Sequence, residues 1–176
     1  MEVHISTLNP DRCKGKKKTY RKSPAVKILE SQANEAKRKK YPSIERAYLA
    51  PVTFRDDTAN GLTRCIISHL RLNNHQAERI NNTGRTIDQT TSFTDVCGRV
   101  RTIGSNKWIP GTGTNGTADI SATICGRSIK IEVKIGHDRQ SKAQKVYQQA
   151  VETAGGVYVI AKDFESYLLW YNLNFE

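Results

Sequence analysis

The chain has 176 residues, enough for one domain with a real core. It carries 28 Lys and Arg against 17 Asp and Glu, a formal charge of +11, and this balance favours an anionic partner, most simply nucleic acid. No apolar run has the length of a membrane span, the N-terminus lacks a secretory apolar core, and Cys13, Cys65, Cys97 and Cys125 show neither zinc nor disulfide spacing. The expectation is a cytoplasmic protein with reduced thiols and no membrane partner.

Charge divides the chain near residue 57. Residues 1–57 hold 14 Lys and Arg against 7 Asp and Glu, whereas residues 58–176 hold 14 against 10. The run "KGKKKTYRK" at 14–22 has almost nothing to bury and reads as a flexible basic arm. Ser23-Pro24 then suits a helix start, with Ser as N-cap and Pro in the first turn. A helix from Pro24 to about Lys40 places Val26, Leu29 and Ala33 on one side, and Pro42 stops it. Lys16, Lys17 and Lys18 in the arm, with Arg38, Lys39 and Lys40 at the helix end, are the nucleic-acid-binding candidates. The competing reading of this region is solubility or a localisation signal.

From Asn60 the texture is that of an α/β domain. "GLTRCIISHLRL" has Leu62, Ile66, Ile67 and Leu70 at helical spacing, and "AERINNTG" follows as a strand ending in an Asn/Gly turn. Residues 86–118 are rich in Thr, Gly, Ser and Asn and suit short strands and loops, with a hairpin around "RVRTIGSNKWI". The loop "IPGTGTNG" lacks the Gly-Lys-Ser/Thr ending of a phosphate-binding loop, which excludes that class of NTPase. "TADISATI" and the strand 128–135 form an antiparallel hairpin across a Cys-Gly-Arg turn. "RQSKAQKVYQQAVETAGG" is a helix whose stripe is Ala143, Val146, Tyr147, Ala150 and Val151. "VYVIA" is a buried strand, and Asp163 caps a short last helix.

The segment "IKIEVKIGHD" raises the chemical question. Ile129, Ile131, Val133 and Ile135 alternate with Lys130, Glu132 and Lys134, the pattern of a strand with one apolar and one polar face. With the turn near 125–127, Asp119 falls nearly opposite Glu132. Two carboxylates converging on one spot repel, and in folded proteins they usually share a cation. Hard oxygen ligands select Mg²⁺ or Mn²⁺, and the Val133 carbonyl is a further candidate ligand. Lys134 shares the face of Glu132, where it can hold an attacking water or offset charge on a phosphate. Gln144 and Tyr147, on one side of the following helix, can hydrogen-bond a phosphate or an ordered water. The bland reading of Glu132 and Lys134 is a surface salt bridge. His69 and His75 have no partner at ligand spacing and read as structural. Trp108 is a loop aromatic that closes the core or stacks on a base.

The set "GTADI", "IEVK" and "SKAQKVYQQAVETAGGVYVI" resembles the PD-(D/E)xK nuclease superfamily, and within it the VRR-NUC group, small stand-alone versions of which occur in phages and mobile elements. The likeness covers about residues 60–170 and includes Gly116 before the Asp, Ser141 and Gln144 on the next helix, and Gly155-Gly156 before a hydrophobic strand. It implies a restriction-endonuclease-like α/β core, a mixed sheet flanked by helices, in residues 58–176, with a basic extension in 1–57. It also implies Mg²⁺-dependent hydrolysis of DNA phosphodiesters, with metal on Asp119 and Glu132, Lys134 in catalysis and Gln144 in support. Two departures stand out. Ala118 replaces the Pro that often precedes the Asp. The first core helix, "NGLTRCIISHLRLNN", carries no acid, so Asp56, Asp57 or Glu78 would have to stand in. The alternative is a nuclease-like fold without turnover that only binds nucleic acid. A third reading gives the basic arm a docking role on a helicase or replication partner. Cutting both strands of a duplex with so small a domain implies a homo-oligomer.

Overall fold

A computed structural model describes residues 19–82, 84–111 and 113–175. These residues form a mixed α/β fold of four α-helices, one 3-10 turn and eight strands. The main sheet has the order β1 (Gln76–Arg79), β6 (Ile120–Ile124), β7 (Arg127–Val133) and β8 (Val157–Ala161). Its first three strands are antiparallel neighbours, and β8 lies parallel to β7, reached through α3 (Lys142–Thr153). The sheet is therefore mixed, as expected.

One face of this sheet makes the core. Ala77, Ile120, Ala122, Ile124, Ile129, Ile131 and Val133 point into it. Against them pack α2 (Ala59–Leu72), α4 (Phe164–Phe175) and α1 (Pro24–Lys40). Ser23 caps α1, its hydroxyl accepting the Val26 N–H at 3.3 Å. Thr58 caps α2, and Asp163 accepts the Ser166 N–H at 2.7 Å at the start of α4. That last helix runs to Phe175, one turn longer than the short helix that its sequence suggests.

Helix α1 is part of this core. Ala25, Val26 and Leu29 are buried against α2 and α4. Polar contacts tie α1 to the segment that leads up to the charge boundary at 57, and the bond from the Phe164 N–H to Asp56 crosses it. Glu30 Oε1 accepts the Phe54 N–H at 2.6 Å and pairs with Lys22, and Asn34 exchanges hydrogen bonds with Val52. The Tyr20 hydroxyl donates to Asp56, which also accepts the Phe164 N–H at 3.3 Å. The predicted arm at 14–22 thus ends in residues that are tied down from Tyr20 onward, whereas Lys16, Lys17 and Lys18 lie outside the described residues.

Two local expectations are corrected. The segment "RVRTIGSNKWI" is not a hairpin on itself. Its halves, β4 (Val100–Ile103) and β5 (Asn106–Ile109), pair instead with β3 (Thr91–Thr94) and β2 (Arg85–Asp88). The chain turns at 95–99 instead of at Gly104-Ser105, so the segment is the returning arm of one longer ribbon. The stripe of α3 is also less covered than its periodicity suggests. Tyr147 and Val151 are half-buried, but Ala143, Val146 and Ala150 are exposed, because the sheet ends beneath one side of the helix. Among the described residues no helix is long and apolar enough to cross a membrane.

Candidate active site

Cys125 and Gly126 both take left-handed backbone, with φ of 48° and 78°, so a two-residue turn joins β6 to β7. That turn sets the register from Ile124 opposite Arg127 to Ile120 opposite Ile131. One step further lie Asp119 and Glu132. Asp119 is held from both sides: its carbonyl accepts the Ile80 N–H at 2.8 Å, and its Oδ2 accepts the Val133 N–H at 2.9 Å.

Glu132 sits on the sheet face opposite the core, yet only 2 % of its surface is exposed. The surface reading of this strand face therefore fails at its C-terminal end. Gln144 Nε2 and Lys134 Nζ both reach Glu132 Oε1, the latter at 3.2 Å, and the Tyr158 hydroxyl donates to Oε2 at 3.3 Å. Burial pushes the Glu132 carboxyl above its ordinary value, the charge of Asp119 adds to the rise, and bonds from Lys134 and Tyr158 offset only part of it.

Lys134 is 8 % exposed and donates to both Glu132 and Asp138, each at 3.2 Å. Burial alone would lower its pKa, but the hydrogen bonds to Asp138 and Glu132 outweigh it and hold the ammonium above its usual range. Burial and the Glu132 charge push the Tyr158 phenol up to about 12, which keeps it a donor.

Gln144 is fixed at its other end by its own helix. Ser141 Oγ accepts the Gln144 N–H at 3.2 Å, and Gln144 Oε1 accepts the Ser141 N–H at 2.9 Å, a capping box. The same helical turn receives the loop before Asp119. Gly116 has φ of 81° and lies so close to the backbone of Ala143 and Gln144 that a Cβ has no room. Loop, helix start and strand end therefore meet at one place.

The other expected residues distribute unevenly. Tyr147 packs edge-to-face on Tyr158, with ring centroids 6.3 Å apart, so it backs the site through that ring. Arg38, Lys39 and Lys40 end α1 on the helical layer behind the sheet, away from Glu132, and Lys39 pairs with Glu35. Trp108 does not close the core; it is 59 % exposed on β5. His69 and His75 pack with the aromatic rings of α4, in keeping with a structural role.

None of the acids that would replace the missing helix carboxylate reaches the site. Asp56 is engaged by Tyr20 and Phe164, and Asp57 pairs with Arg55 at 2.5 Å. Glu78 sits on β1 opposite Ser121, two strands from Glu132. Among the described residues no group of three or more His, Cys, Asp or Glu gathers in metal-binding proximity.

Sequence reasoning missed Tyr158 and Asp138. Tyr158 lies inside a run that reads as wholly buried strand. Only the parallel register, which sets Lys130 beside Tyr158, turns it toward Glu132. Asp138 reads as turn, and it does close one, accepting Lys134 from there. A groove of about 420 Å³ leads from Ser141 and Gln144 past Gly116 to Gly84 and Trp108.

No family model matches this chain, and neither a curated protein nor a solved structure does.

Proposed function

We propose that this chain is a metal-dependent nuclease of the PD-(D/E)xK type, close to the VRR-NUC group, hydrolysing phosphodiester bonds in DNA. The observation that carries the reading is the juxtaposition of Asp119 with the buried Glu132, beside the buried Lys134. A carboxylate enclosed this far, with a second one raising its proton affinity, is a costly arrangement for structure alone.

The donor set suits Mg²⁺ or Mn²⁺. Mg²⁺ takes one or two carboxylates and keeps several waters, so Asp119, Glu132 and the Val133 carbonyl form a sufficient set. Such an ion, when bound, supplies Lewis-acid polarisation of a phosphoryl oxygen and a more acidic water. The chain's own residues do the rest. The Val133 N–H and the Ile80 N–H hold Asp119, and Gln144 and Tyr158 hold the two oxygens of Glu132. Lys134 Nζ, anchored by Asp138, donates to a water or to a non-bridging phosphate oxygen and offsets the charge that grows there. The groove beyond Gln144 gives the strand a path.

One observation favours a second reading, nucleic-acid binding without turnover: no third carboxylate joins Asp119 and Glu132 among the described residues. End-labelled single-stranded, duplex, flap and four-way-junction DNA, incubated with Mg²⁺, Mn²⁺ or EDTA, separates the two. Metal-dependent cutting that disappears in Asp119→Ala and Lys134→Ala supports the nuclease. Binding without cutting on every substrate, insensitive to both variants, supports the second reading.

A further inference from the structure

The ribbon formed by β2 to β5 takes no part in the core. Its two ladders, Arg85–Asp88 with Asn106–Ile109 and Thr91–Thr94 with Val100–Ile103, follow one another along the same pair of strands. Neither packs on a helix or on the main sheet, and no residue from Arg85 to Ile109 is buried. A two-stranded hairpin is marginal in water unless something covers it. The far end is nevertheless built with care. Asp95 accepts the N–H groups of Cys97 and Arg99 at 2.9 and 3.0 Å and pairs with Arg101 at 2.9 Å, closing the turn.

Charge indicates what the ribbon meets. It carries Arg85, Arg99, Arg101 and Lys107 against Asp88 and Asp95, and Asp95 is already engaged by Arg101. Its remaining surface mixes hydroxyls, as at Thr86, Ser92 and Thr102, with exposed apolar side chains, Phe93, Val96, Val100, Ile103 and Trp108. This is a surface for phosphates and stacked bases. Its base is continuous with the site, since Gly84 and Trp108 line the groove that ends at Ser141 and Gln144.

We propose that this ribbon lies in the major groove of duplex DNA next to the scissile bond, with Arg85, Arg99 and Lys107 on the flanking phosphates. The inference deepens the nuclease reading and rests on it for the position of that bond. Two strands about 4.8 Å apart, with side chains on both faces, fit a groove about 12 Å wide, which admits a two-stranded ribbon. The deep, narrow major groove of duplex RNA does not. At about 3.3 Å per residue the stretch from Arg85 to Thr94 reaches up to about 30 Å. The substrate class is therefore duplex DNA that extends well beyond the cut, including the duplex arm of a branched molecule.

The test is binding by the full chain in EDTA, where no metal-dependent turnover occurs, to a DNA duplex, its single strand and an RNA duplex across a salt series. The combined variant Arg85→Gln, Arg99→Gln, Lys107→Gln alters exposed side chains only, and its melting curve verifies the fold. Expected are a loss of duplex-DNA affinity of about tenfold or more and a salt slope shallower by about 2 to 3, with single-strand binding less affected. An unchanged slope, or equal affinity for all three nucleic acids, overturns the proposal. So does a change from dimer to monomer in the variant, which makes a second copy the occupant. Cleavage with Mg²⁺ is read separately. Cutting with an unchanged slope defeats the ribbon and leaves the nuclease, whereas a shallower slope without cutting defeats the nuclease and leaves duplex binding.

Discussion

The side chain of Asp119 accepts the backbone N–H of Val133, the residue that follows Glu132, at 2.9 Å. A carboxylate beyond the end of the β6–β7 ladder is thereby locked to the strand that carries its partner. The bond extends the pairing by one step and fixes the spacing of two acids that would otherwise move apart. Asp119→Asn keeps the shape and an acceptor oxygen but loses the charge. Its melting temperature is expected to stay near that of the parent, while metal-dependent cleavage falls by about a hundredfold or more. Asp119→Ala removes the acceptor as well and should cost a further ~1–3 kcal/mol of stability. Denaturant melts and cleavage rates on both variants check the split; equal losses of stability would deny the bond any structural share.

Gln144 joins the helix cap to the site, with Oε1 on the Ser141 N–H and Nε2 on Glu132. Gln144→Glu keeps an acceptor for the cap and sets a second negative charge against Glu132. Gln144→Ala loses both contacts. Cleavage is expected to drop by about 10- to 100-fold in Gln144→Ala, with a stability cost of about 1 kcal/mol from the cap. Gln144→Glu should melt closer to the parent yet show an altered Mg²⁺ requirement, read from cleavage across a metal titration. Activity that merely follows stability in both variants would leave Gln144 as a capping residue.

The boundary at residue 57 is one of charge, and packing crosses it. Full burial of Val26 and of Leu29 contributes about 1.5–3 kcal/mol each, a large share of the ~5–15 kcal/mol that holds a domain together. A chain beginning at residue 58 should therefore lack a cooperative thermal transition, whereas one beginning at residue 19 should keep it. Circular-dichroism melts of the two truncations decide the matter, and a folded 58–176 fragment would make α1 an appendage after all.

How much of this was legible in the sequence depends on how local the cause is. The approach of Asp119 to Glu132 was legible from a short turn at Cys-Gly-Arg. The exact register was not, because it depends on Arg127 belonging to the strand and leaving a two-residue turn. The helix start at Ser23 followed from a cap three residues from the N–H it accepts. The Ser141–Gln144 capping box that opens α3, by contrast, went unread inside a helix drawn from Arg139. The ribbon was misread because a local turn signal at Gly104-Ser105 competes with pairings across more distant loops, and nothing nearby decides between them. The burial of Glu132 was hidden for a similar reason. It depends on α3 and on Tyr158, which reach the strand only after the parallel crossover. Helix α1 carries its apolar stripe openly, but its charge drew attention to the wrong side.

His69 offers a pH test of the core that is independent of the site. It is 6 % exposed, ringed by Phe164, Tyr167 and Tyr171, with Asn73 Nδ2 3.1 Å from Nε2. Burial, with a smaller contribution from His75, pulls its pKa from 6.5 down to about 4. The folded chain therefore binds this proton less readily than the unfolded chain. Stability from the neutral ring is fully present above about pH 6.5 and is lost as pH falls toward 4, by about 3 kcal/mol at most. Urea melts of the parent at pH 7 and pH 4.5 should show that loss. In His69→Gln the absolute stability is expected to be lower at pH 7, but the dependence between these two pH values should flatten. A dependence as steep in His69→Gln as in the parent would assign the acid sensitivity to other groups.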